Sequence, residues 1–369
     1  MELRIDPWGH MVIREYEKLF QYFGIKPFRE VLHLIDKPHR YMTRGIIFGH
    51  RDFDKFWKLY REGRRVAILT GFMPSGRFHI GHKMVVEQLV YYQRLGVNVY
   101  MLIADAEAYA VRRIPRKEVI RVGIEEYIAN AIALGLDPEK TVFYFQTAQR
   151  PEYYRLIQLF SRKITFNELE AIYGSIEPAK IMAALTQVAD VTFLTHPEMG
   201  GYEVVLVPVG ADQDPHLRLA RDLVERYSNE IQLKQPASTY HRFMTGLDGG
   251  KMSSSRPESA IFLSDDIEEA KRKVYRALTG GRPTAEEQRK LGGQPEKCVV
   301  FELFAYHLVQ DDNKLKQIYE ECRSGKRLCG QCKREAAKLL EEFLTQHQEK
   351  LREAKEIAQQ IAENIKPSF

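Results

Sequence analysis

The sequence predicts an α/β fold in which helices cover both faces of a parallel sheet. Residues 66–69 form a short apolar run, and residues 97–104 (VNVYMLIA) are almost continuously apolar, as expected for strands buried on both faces. Between them, residues 79–96 place apolar side chains every three or four positions, which is the period of an amphipathic helix. Strand, helix and strand together make a βαβ unit. We therefore predict a doubly wound, Rossmann-like parallel sheet.

The rest of the chain extends this sheet and then leaves it. Residues 150–200 lack the alternation of strands and predict an inserted helical segment, whereas residues 202–210 (YEVVLVPVG) predict a return to the sheet. The pattern is helical almost throughout the last hundred residues. We expect an N-terminal extension packed on the core in residues 1–60, a Rossmann-like domain in residues 61–262, and an all-helical C-terminal domain in residues 263–369.

Composition is that of a globular protein, with 44% hydrophobic and 28% charged residues. The formal net charge of +5 permits nucleic-acid contact through local patches but does not require it. No apolar run approaches the roughly 18–20 residues of a membrane span. The N-terminus shows no basic region followed by an apolar stretch. We expect a cytoplasmic protein with no membrane contact.

Two separated motifs suggest phosphate chemistry. In residues 67–82 (AILTGFMPSGRFHIGH) a buried strand leads through a glycine-containing crossing to a helix N-terminus, whose backbone N–H groups and dipole suit a phosphate. His79 and His82 lie at this corner, where their imidazoles can donate to phosphate oxygens. Residues 246–257 predict a mobile loop, in which Lys251 and the hydroxyls after it suit pyrophosphate. Either motif alone is a weak signal, but chance does not readily explain both.

These motifs resemble the hallmarks of the class I aminoacyl-tRNA synthetases. Residues 79–82 (HIGH) match the first hallmark fully, and residues 251–255 (KMSSS) match KMSKS except at Ser254, where lysine is usual. The resemblance implies attack of an amino-acid carboxylate on the α-phosphate of ATP, release of pyrophosphate, and transfer to the 3′-terminal ribose of tRNA. It also implies Mg²⁺ on the pyrophosphate side. The implied catalytic residues are His79, His82, Lys251, Ser253, Ser254 and Ser255.

Three further passages resemble the archaeal and eukaryotic tryptophanyl branch of that class. They are residues 44–52 (RGIIFGHRD), 210–218 (GADQDPHLR) and 280–293 (GGRPTAEEQRKLGG). Leu69 stands where the tyrosyl branch has a phenol-binding tyrosine, which favours an indole. Asp190 suits either ligand, because a carboxylate accepts a phenol O–H and an indole N–H alike. We predict tryptophan as substrate, with tyrosine as the alternative.

The resemblance also implies the binding residues and partners. Glu107 and Gln187 would hold the α-amino group, and Gln213 would lie near the amino acid and the ribose; without the motifs, all three would be ordinary polar positions. The implied substrate-binding set is Leu69, Gly71, Glu107, Gln187, Asp190 and Gln213, and the ATP-binding set is Ser75, Gly81, Asp212 and Met252. The implied partners are tRNA(Trp), tryptophan, ATP and a second copy of the chain, which would contact the helices of residues 150–200.

The four cysteines fall near the C-terminus and form a candidate metal site. They are Cys298, Cys322, Cys329 and Cys332, separated by 23, 6 and 2 residues. In a chain without a secretory signal, four soft thiolates suit a [4Fe–4S] cluster or Zn²⁺. Some tryptophanyl enzymes carry such a cluster on C-x22-C-x6-C-x2-C, and this sequence departs from that pattern by one residue in the first gap. Four basic residues of the same turn are predicted phosphate contacts for tRNA: Lys326, Arg327, Lys333 and Arg334.

Two other function classes compete with a synthetase. HxGH also occurs in adenylyltransferases that build nucleotide cofactors, but these are usually single compact domains without a KMSSS loop. The other alternative is a catalytically silent RNA-binding relative. The intact His79, His82 and Lys251 argue against that alternative.

Overall fold

The structure is a computed structural model that describes residue 20, residues 23–174 and residues 177–367. Within these residues the chain forms two compact units. The first comprises the described residues up to Ser75, Val85–Arg242 and those from Lys355 onward, and the second comprises Gly76–Met84 and Phe243–Ala354. The predicted domain boundaries near residues 60 and 262 do not coincide with this division and stay predictions.

The first unit contains a seven-stranded sheet in the order β1-β2-β7-β6-β3-β4-β5. Strands β7, β6, β3, β4 and β5 are parallel, whereas β1 and β2 pair antiparallel at one end. The strands are β1 (Lys26–Pro27), β2 (Ile47–Arg51), β3 (Val66–Phe72), β4 (Asn98–Ile103), β5 (Thr141–Phe145), β6 (Val204–Gly210) and β7 (Ala237–His241). The doubly wound parallel sheet is confirmed, and its order reverses between β3 and β6, which is where such sheets bind ligands.

Three strands were not predicted from the sequence. β1 and β2 lie in what we expected to be an extension, yet they are part of the sheet. β7 (ASTYH) is buried along its whole length but carries Ser238 and Thr239, so it shows no apolar run. A prediction from the pattern of apolar residues therefore misses β7, because some of its buried side chains are polar.

The helices of the first unit follow the predicted pattern, with the inserted segment helical as expected. They are α1 (Arg40–Thr43), α2 (Phe53–Arg61), α3 (Ile80–Arg94, whose first turn belongs to the second unit), α4 (Asp105–Arg112), α5 (Arg116–Val122), α6 (Ala129–Ala133), α7 (Pro151–Phe160), α8 (Phe166–Tyr173), α9 (Pro178–Thr192) and α10 (Asp214–Arg226). A π-helical turn, Gly123–Ile128, joins α5 to α6. Helix α9 packs on α4, α7 and α10.

Beyond residue 264 the chain is mostly helical, as predicted. Its helices are α11 (Ile267–Arg276), α12 (Ala285–Leu291), α13 (Val299–Leu303), α14 (Asp312–Arg323) and α15 (Cys329–Ile365). Asp266 caps α11, because its carboxylate accepts from the N–H groups of Glu268 and Glu269. In the described part of the chain, every helix is too short or too polar to cross a membrane.

Candidate functional site

A group of buried polar side chains lies at the carboxyl ends of the parallel strands in the first unit. Glu107 is in the first turn of α4, directly after β4, and Gln146 follows β5. Helix α9 contributes Gln187 and Asp190. Because parallel strands end at the same edge of a sheet, residues distant in sequence meet here.

Hydrogen bonds join these residues into one network. Gln187 Nε2 donates to Glu107 Oε2 at 2.8 Å, and the Glu107 backbone N–H donates to Gln146 Oε1 at 3.2 Å. Gln146 Nε2 donates to Asp190 Oδ2 at 2.8 Å, while the Tyr153 hydroxyl donates to Asp190 Oδ1 at 2.6 Å. The structure therefore brings together three of the predicted substrate-binding residues: Glu107, Gln187 and Asp190.

Sequence reasoning missed two members of the network, Gln146 and Tyr153. Both are 1% exposed. Gln146 could have been found, because it is the first polar residue after the apolar strand β5. Tyr153 carries no such signal, since it lies on the apolar face of α7 among Leu156, Ile157 and Phe160.

The environment of Asp190 disfavours its charge. Burial raises the pKa of the Asp190 carboxyl to about 7, and the nearby carboxylates of Glu107 and Asp105 act in the same direction. The hydrogen bonds from Tyr153 and Gln146 oppose this shift by stabilising the carboxylate. Asp190 therefore titrates near neutral pH.

This titration makes stability depend on pH. Between 3.8, the ordinary pKa, and about 7, the carboxyl ionises in the unfolded chain but stays protonated in the folded one. In this range the folded state binds more protons than the unfolded state. The contribution of Asp190 to the free energy of unfolding is therefore largest below pH 3.8 and decreases as the pH rises to 7. At 1.36 kcal/mol per pKa unit, the loss is about 4 kcal/mol. We expect Asp190→Asn to remove this part of the decline, measured as the difference from the unmodified protein in urea unfolding across that range. Equal slopes for both proteins would contradict it.

The remaining predicted residues of the first unit lie on β3, just after it, or in the turn after β6. Leu69, on β3, is 1% exposed, and Gly71, two positions later, is exposed. Ser75 is exposed beyond the end of β3. Asp212 is buried and Gln213 half-buried in the turn between β6 and α10. The binding roles of these five residues stay predictions.

Asp214, the second aspartate of the DQDP passage, is the centre of a buried ionic cluster. Its Oδ1 lies 3.0 Å from Arg51 Nη2 on β2 and accepts from the Tyr240 hydroxyl of β7 at 2.6 Å. Its Oδ2 lies 3.0 Å from Arg218 Nε on α10. The carboxylate is fully buried, so these contacts make it a structural joint between β2, β7 and α10.

The two motif histidines lie together in the second unit. Their rings stack with centroids 3.7 Å apart. The His79 backbone N–H donates to His82 Nδ1 at 3.2 Å, and the Gly81 N–H donates to His79 Nδ1 at 3.1 Å. Burial, helped by the charge of Lys251, lowers the pKa of His79 to about 3, and burial also lowers that of His82. Both rings are therefore neutral at pH 7. Because each Nδ1 is an acceptor, each proton is on Nε2, which makes Nε2 the donor.

The two motif segments are bonded to each other. Ser254 Oγ donates to the Arg77 carbonyl at 2.9 Å across 177 positions of sequence. Gly76 allows this approach, because a Cβ there would lie 2.9 Å from Ser254 Cβ. Met252 is buried, with its sulfur 3.7 Å from the Cβ position of Gly81. The predicted pairing of the loop with the histidine motif is seen directly.

Lys251 is the cation of the loop whose charge acts on His79. Its ammonium lies 4.9 Å from the centroid of the Phe243 ring, and its charge contributes to the low pKa of His79. Arg256, in contrast, forms an ion pair with Asp248 at 2.8 Å and also donates to the Lys251 carbonyl. Ser253 and Ser255 are joined through their hydroxyls at 2.9 Å.

The four cysteines line one small cavity in the second unit. Two glycines pack closely against the sulfurs. A Cβ at Gly281 would lie 2.5 Å from Cys329 Sγ, and a Cβ at Gly293 would lie 2.7 Å from Cys322 Sγ. None of the four is in a disulfide bond. Burial raises the pKa of Cys322 to about 11, and the neighbouring sulfurs add to the shift. Even so, no group of three or more His, Cys, Asp or Glu side chains in residues 23–174 and 177–367 is arranged to hold a metal ion.

Arg327, one of the predicted phosphate contacts of this turn, is paired within the protein. Arg327 Nη1 lies 3.0 Å from Glu321 Oε2, Nη2 pairs with Glu335, and Nε lies 3.2 Å from Cys332 Sγ. The guanidinium is only 12% exposed. Its role is to hold the turn together, whereas Lys326 and Arg334 are exposed and stay predictions.

Comparison with known proteins places the chain among related sequences and folds. A model of the family described as "tRNA synthetases class I (W and Y)" matches residues 61–345. A protein of Hyperthermus butylicus named tryptophan–tRNA ligase is 57% identical over 372 aligned positions, which cover 99% of this chain and 98% of that protein.

Solved structures agree with the sequence comparison. The crystal structure of tryptophanyl-tRNA synthetase from Aeropyrum pernix superposes with a TM-score of 0.92 at 58% identity, covering 97% of this chain and 98% of the other. A tryptophanyl-tRNA synthetase from Encephalitozoon cuniculi, solved bound to tryptophan, gives a TM-score of 0.83 at 26% identity, covering 97% and 99%.

Proposed function

The chain belongs to the archaeal type of class I tryptophanyl-tRNA synthetases, and on that premise we propose which of its residues carry each part of the reaction. The reaction is the ATP-dependent attachment of tryptophan to tRNA(Trp). It passes through a tryptophanyl adenylate. The observation that carries the residue assignment is the hydrogen bond between the two motif segments, Ser254 to Arg77.

Residues of the second unit act on ATP. As the tryptophan carboxylate attacks the α-phosphate, negative charge grows on the phosphate oxygens and the departing pyrophosphate. The Nε2–H groups of His79 and His82 donate to these oxygens, and their neutrality lets them do so without gaining or losing a proton. Lys251 supplies the positive charge, and the hydroxyls of Ser253, Ser254 and Ser255 add donors. Catalysis in this scheme is positioning together with stabilisation of charge.

Residues of the first unit bind tryptophan. Glu107, held by Gln187 at 2.8 Å, is the carboxylate that receives the α-amino group. Asp190, with Tyr153 and Gln146, forms the polar end of the side-chain pocket, where an indole N–H finds an acceptor. Leu69 and Gly71 belong to the same strand, and Gln213 to the turn after β6. The ATP side adds Ser75, Gly81, Asp212 and Met252.

The alternative substrate is tyrosine, because Asp190 and Tyr153 are both capable of binding a phenol. Amino-acid-dependent ATP–pyrophosphate exchange over all twenty amino acids separates the two. We expect exchange with tryptophan alone. Exchange with tyrosine but not tryptophan would overturn the assignment of tryptophan as substrate. No exchange with any amino acid would indicate a catalytically silent relative of the synthetases.

Mg²⁺ accompanies ATP in reactions of this class. Because Mg²⁺ in proteins usually keeps water ligands and binds substrate phosphates with only one or two carboxylates, we propose that the ion is held mainly by the phosphates of ATP. It would neutralise charge on the pyrophosphate.

For the cysteines we propose a [4Fe–4S] cluster, with Zn²⁺ as the alternative. Cys298, Cys322, Cys329 and Cys332 supply soft thiol ligands around one cavity, and backbone glycines rather than side chains enclose two of the sulfurs. The group would fix the turn that carries the exposed Lys326 and Arg334, which we assign to tRNA phosphates.

Metal analysis tests this assignment. Protein purified without oxygen is expected to contain about four iron and four sulfide per chain. The double variant Cys329→Ser, Cys332→Ser is expected to contain neither, and its circular dichroism spectrum serves as the control for folding. If the protein contains zinc instead of iron, the site is a Zn²⁺ site and not a [4Fe–4S] cluster. Protein that contains neither metal would contradict a metal site.

We also propose a homodimer that acts in the cytoplasm. Three large apolar side chains of the inserted helices are exposed by about half: Leu159, Phe166 and Met182, at 49%, 58% and 53%. A second copy of the chain would cover them. Sedimentation equilibrium at micromolar concentration is expected to give a dimer, and a pure monomer would contradict it.

A further inference from the structure

A short segment after the KMSSS loop runs beside the histidine motif. His79 and Phe262 form an antiparallel bridge. On either side of it, the Ile80 N–H donates to the Ile261 carbonyl at 2.8 Å and the Leu263 N–H donates to the Phe78 carbonyl at 3.1 Å. The backbone of His79 is therefore held by residues 261–263.

Asp265 controls the position of this segment. Its Oδ2 accepts from the Phe262 backbone N–H at 3.0 Å and from Lys273 Nζ at 2.8 Å, and its Oδ1 lies 3.0 Å from Arg77 Nη2. The Asp265 and Lys273 side chains are 3% and 4% exposed. Both oxygens of this buried carboxylate are engaged, so the geometry of the group is closely constrained.

Both cations that Asp265 binds also lie close to the ring of Phe262. Arg77 is 4.4 Å from the ring centroid and Lys273 is 5.0 Å from it. Lys273 also donates to the Ala260 carbonyl at 3.0 Å. We call Arg77, Phe262, Asp265 and Lys273 the Asp265 cluster.

The cluster touches both proposed ATP motifs. Through Phe262 it holds His79, and through the Arg77 carbonyl it accepts the hydroxyl of Ser254. We propose that Arg77, Asp265 and Lys273 are positioning residues for ATP, which set the distance between the histidine motif and the KMSSS loop. This rests on the proposed role of those motifs. Because phosphate transfer depends on alignment, a displacement of about 1 Å costs on the order of 100-fold in rate.

Arg77→Gln tests the cluster without threatening the fold, since the arginine side chain is 46% exposed. We expect kcat/KM for ATP in pyrophosphate exchange to fall about 10- to 100-fold while KM for tryptophan and Tm stay unchanged. Arg77→Lys, which keeps a charge over Phe262, is expected to recover part of the loss. Arg272→Gln is the matched control, because Arg272 is 57% exposed and forms its ion pair with Glu269 of its own helix.

Asp265→Asn is the second variant. It keeps the shape of the side chain but not its charge, so we expect the same selective loss toward ATP with a lower Tm. Wild-type kinetics in both variants would overturn the proposal. A loss in Arg77→Gln with unchanged kinetics in Asp265→Asn would overturn it too, since Arg77 would then act on ATP by itself.

A third variant separates this inference from the proposed function. His79→Ala is expected to lose exchange through the motif itself. If the unmodified protein shows no tryptophan-dependent exchange, or His79→Ala is fully active, the proposed function or its motif assignment fails, and the cluster proposal falls with it. If both behave as expected and the cluster variants are normal, the cluster proposal alone is wrong.

Discussion

Replacing Lys251 with methionine is expected to lower tryptophan-dependent ATP–pyrophosphate exchange by about 100- to 1,000-fold. This is the usual cost of removing one group that stabilises charge in the transition state. The loop has no substitute for it, because Ser254 stands where many relatives of the class have lysine and Arg256 is paired with Asp248. Methionine keeps the length and apolar stem of the side chain, so the loss reports the charge.

The control for this variant is Lys316→Met on α14. Its ammonium is 3.8 Å from Glu320, and the side chain is 74% exposed. We expect less than about a twofold change there, since exposed ion pairs contribute little. Exchange in Lys251→Met within tenfold of the unmodified protein would show that Lys251 is not the main cation.

Asp214→Ala is expected to have the largest effect on stability, lowering the free energy of unfolding by about 3–5 kcal/mol. The substitution leaves Arg51, whose side chain is 13% exposed, without its buried counter-charge, and it removes the acceptor of the Tyr240 hydroxyl. Breaking one partner of a buried ion pair is costly because the remaining charge stays out of water. Urea unfolding followed by circular dichroism measures the change.

Asp222→Ala provides the comparison on the same helix. Asp222 is exposed on α10, and a surface substitution of this kind usually changes stability by no more than about 0.5 kcal/mol. If the two variants lose the same small amount, the Asp214 cluster does not stabilise the fold. The prediction also separates stability from binding, since the DQDP passage then carries a structural residue beside the proposed ligand contacts at Asp212 and Gln213.

Much of the molecule could be predicted from the sequence because the relevant forces are local. The apolar runs of β3, β4 and β6 and the helical period of α3 specify buried strands and a covering helix. The residue types and spacing of the glycine-containing corner before His79 and of the KMSSS loop likewise indicate phosphate chemistry. The family comparison confirms the class and tryptophan as substrate.

Other features depend on which surfaces meet, and no local pattern encodes them. Gln146 and Tyr153 read as ordinary positions until folding brings them to Asp190. Arg327 reads as a tRNA contact until Glu321 and Glu335 are seen to hold its guanidinium. β7 does not show an apolar run, because its buried side chains include hydroxyl groups.

Residue patterns alone indicate the fold class, the family and the two motif segments, since periodicity and short spacings depend on neighbouring residues. The partners of each side chain are known only from the folded molecule. Arg51 and Asp214 are 163 positions apart, and Ser254 and the Arg77 carbonyl are 177 apart. A hydrogen bond or ion pair requires its two groups to lie within about 3 Å of each other. Over such separations in sequence, only the packing of the whole unit sets that distance.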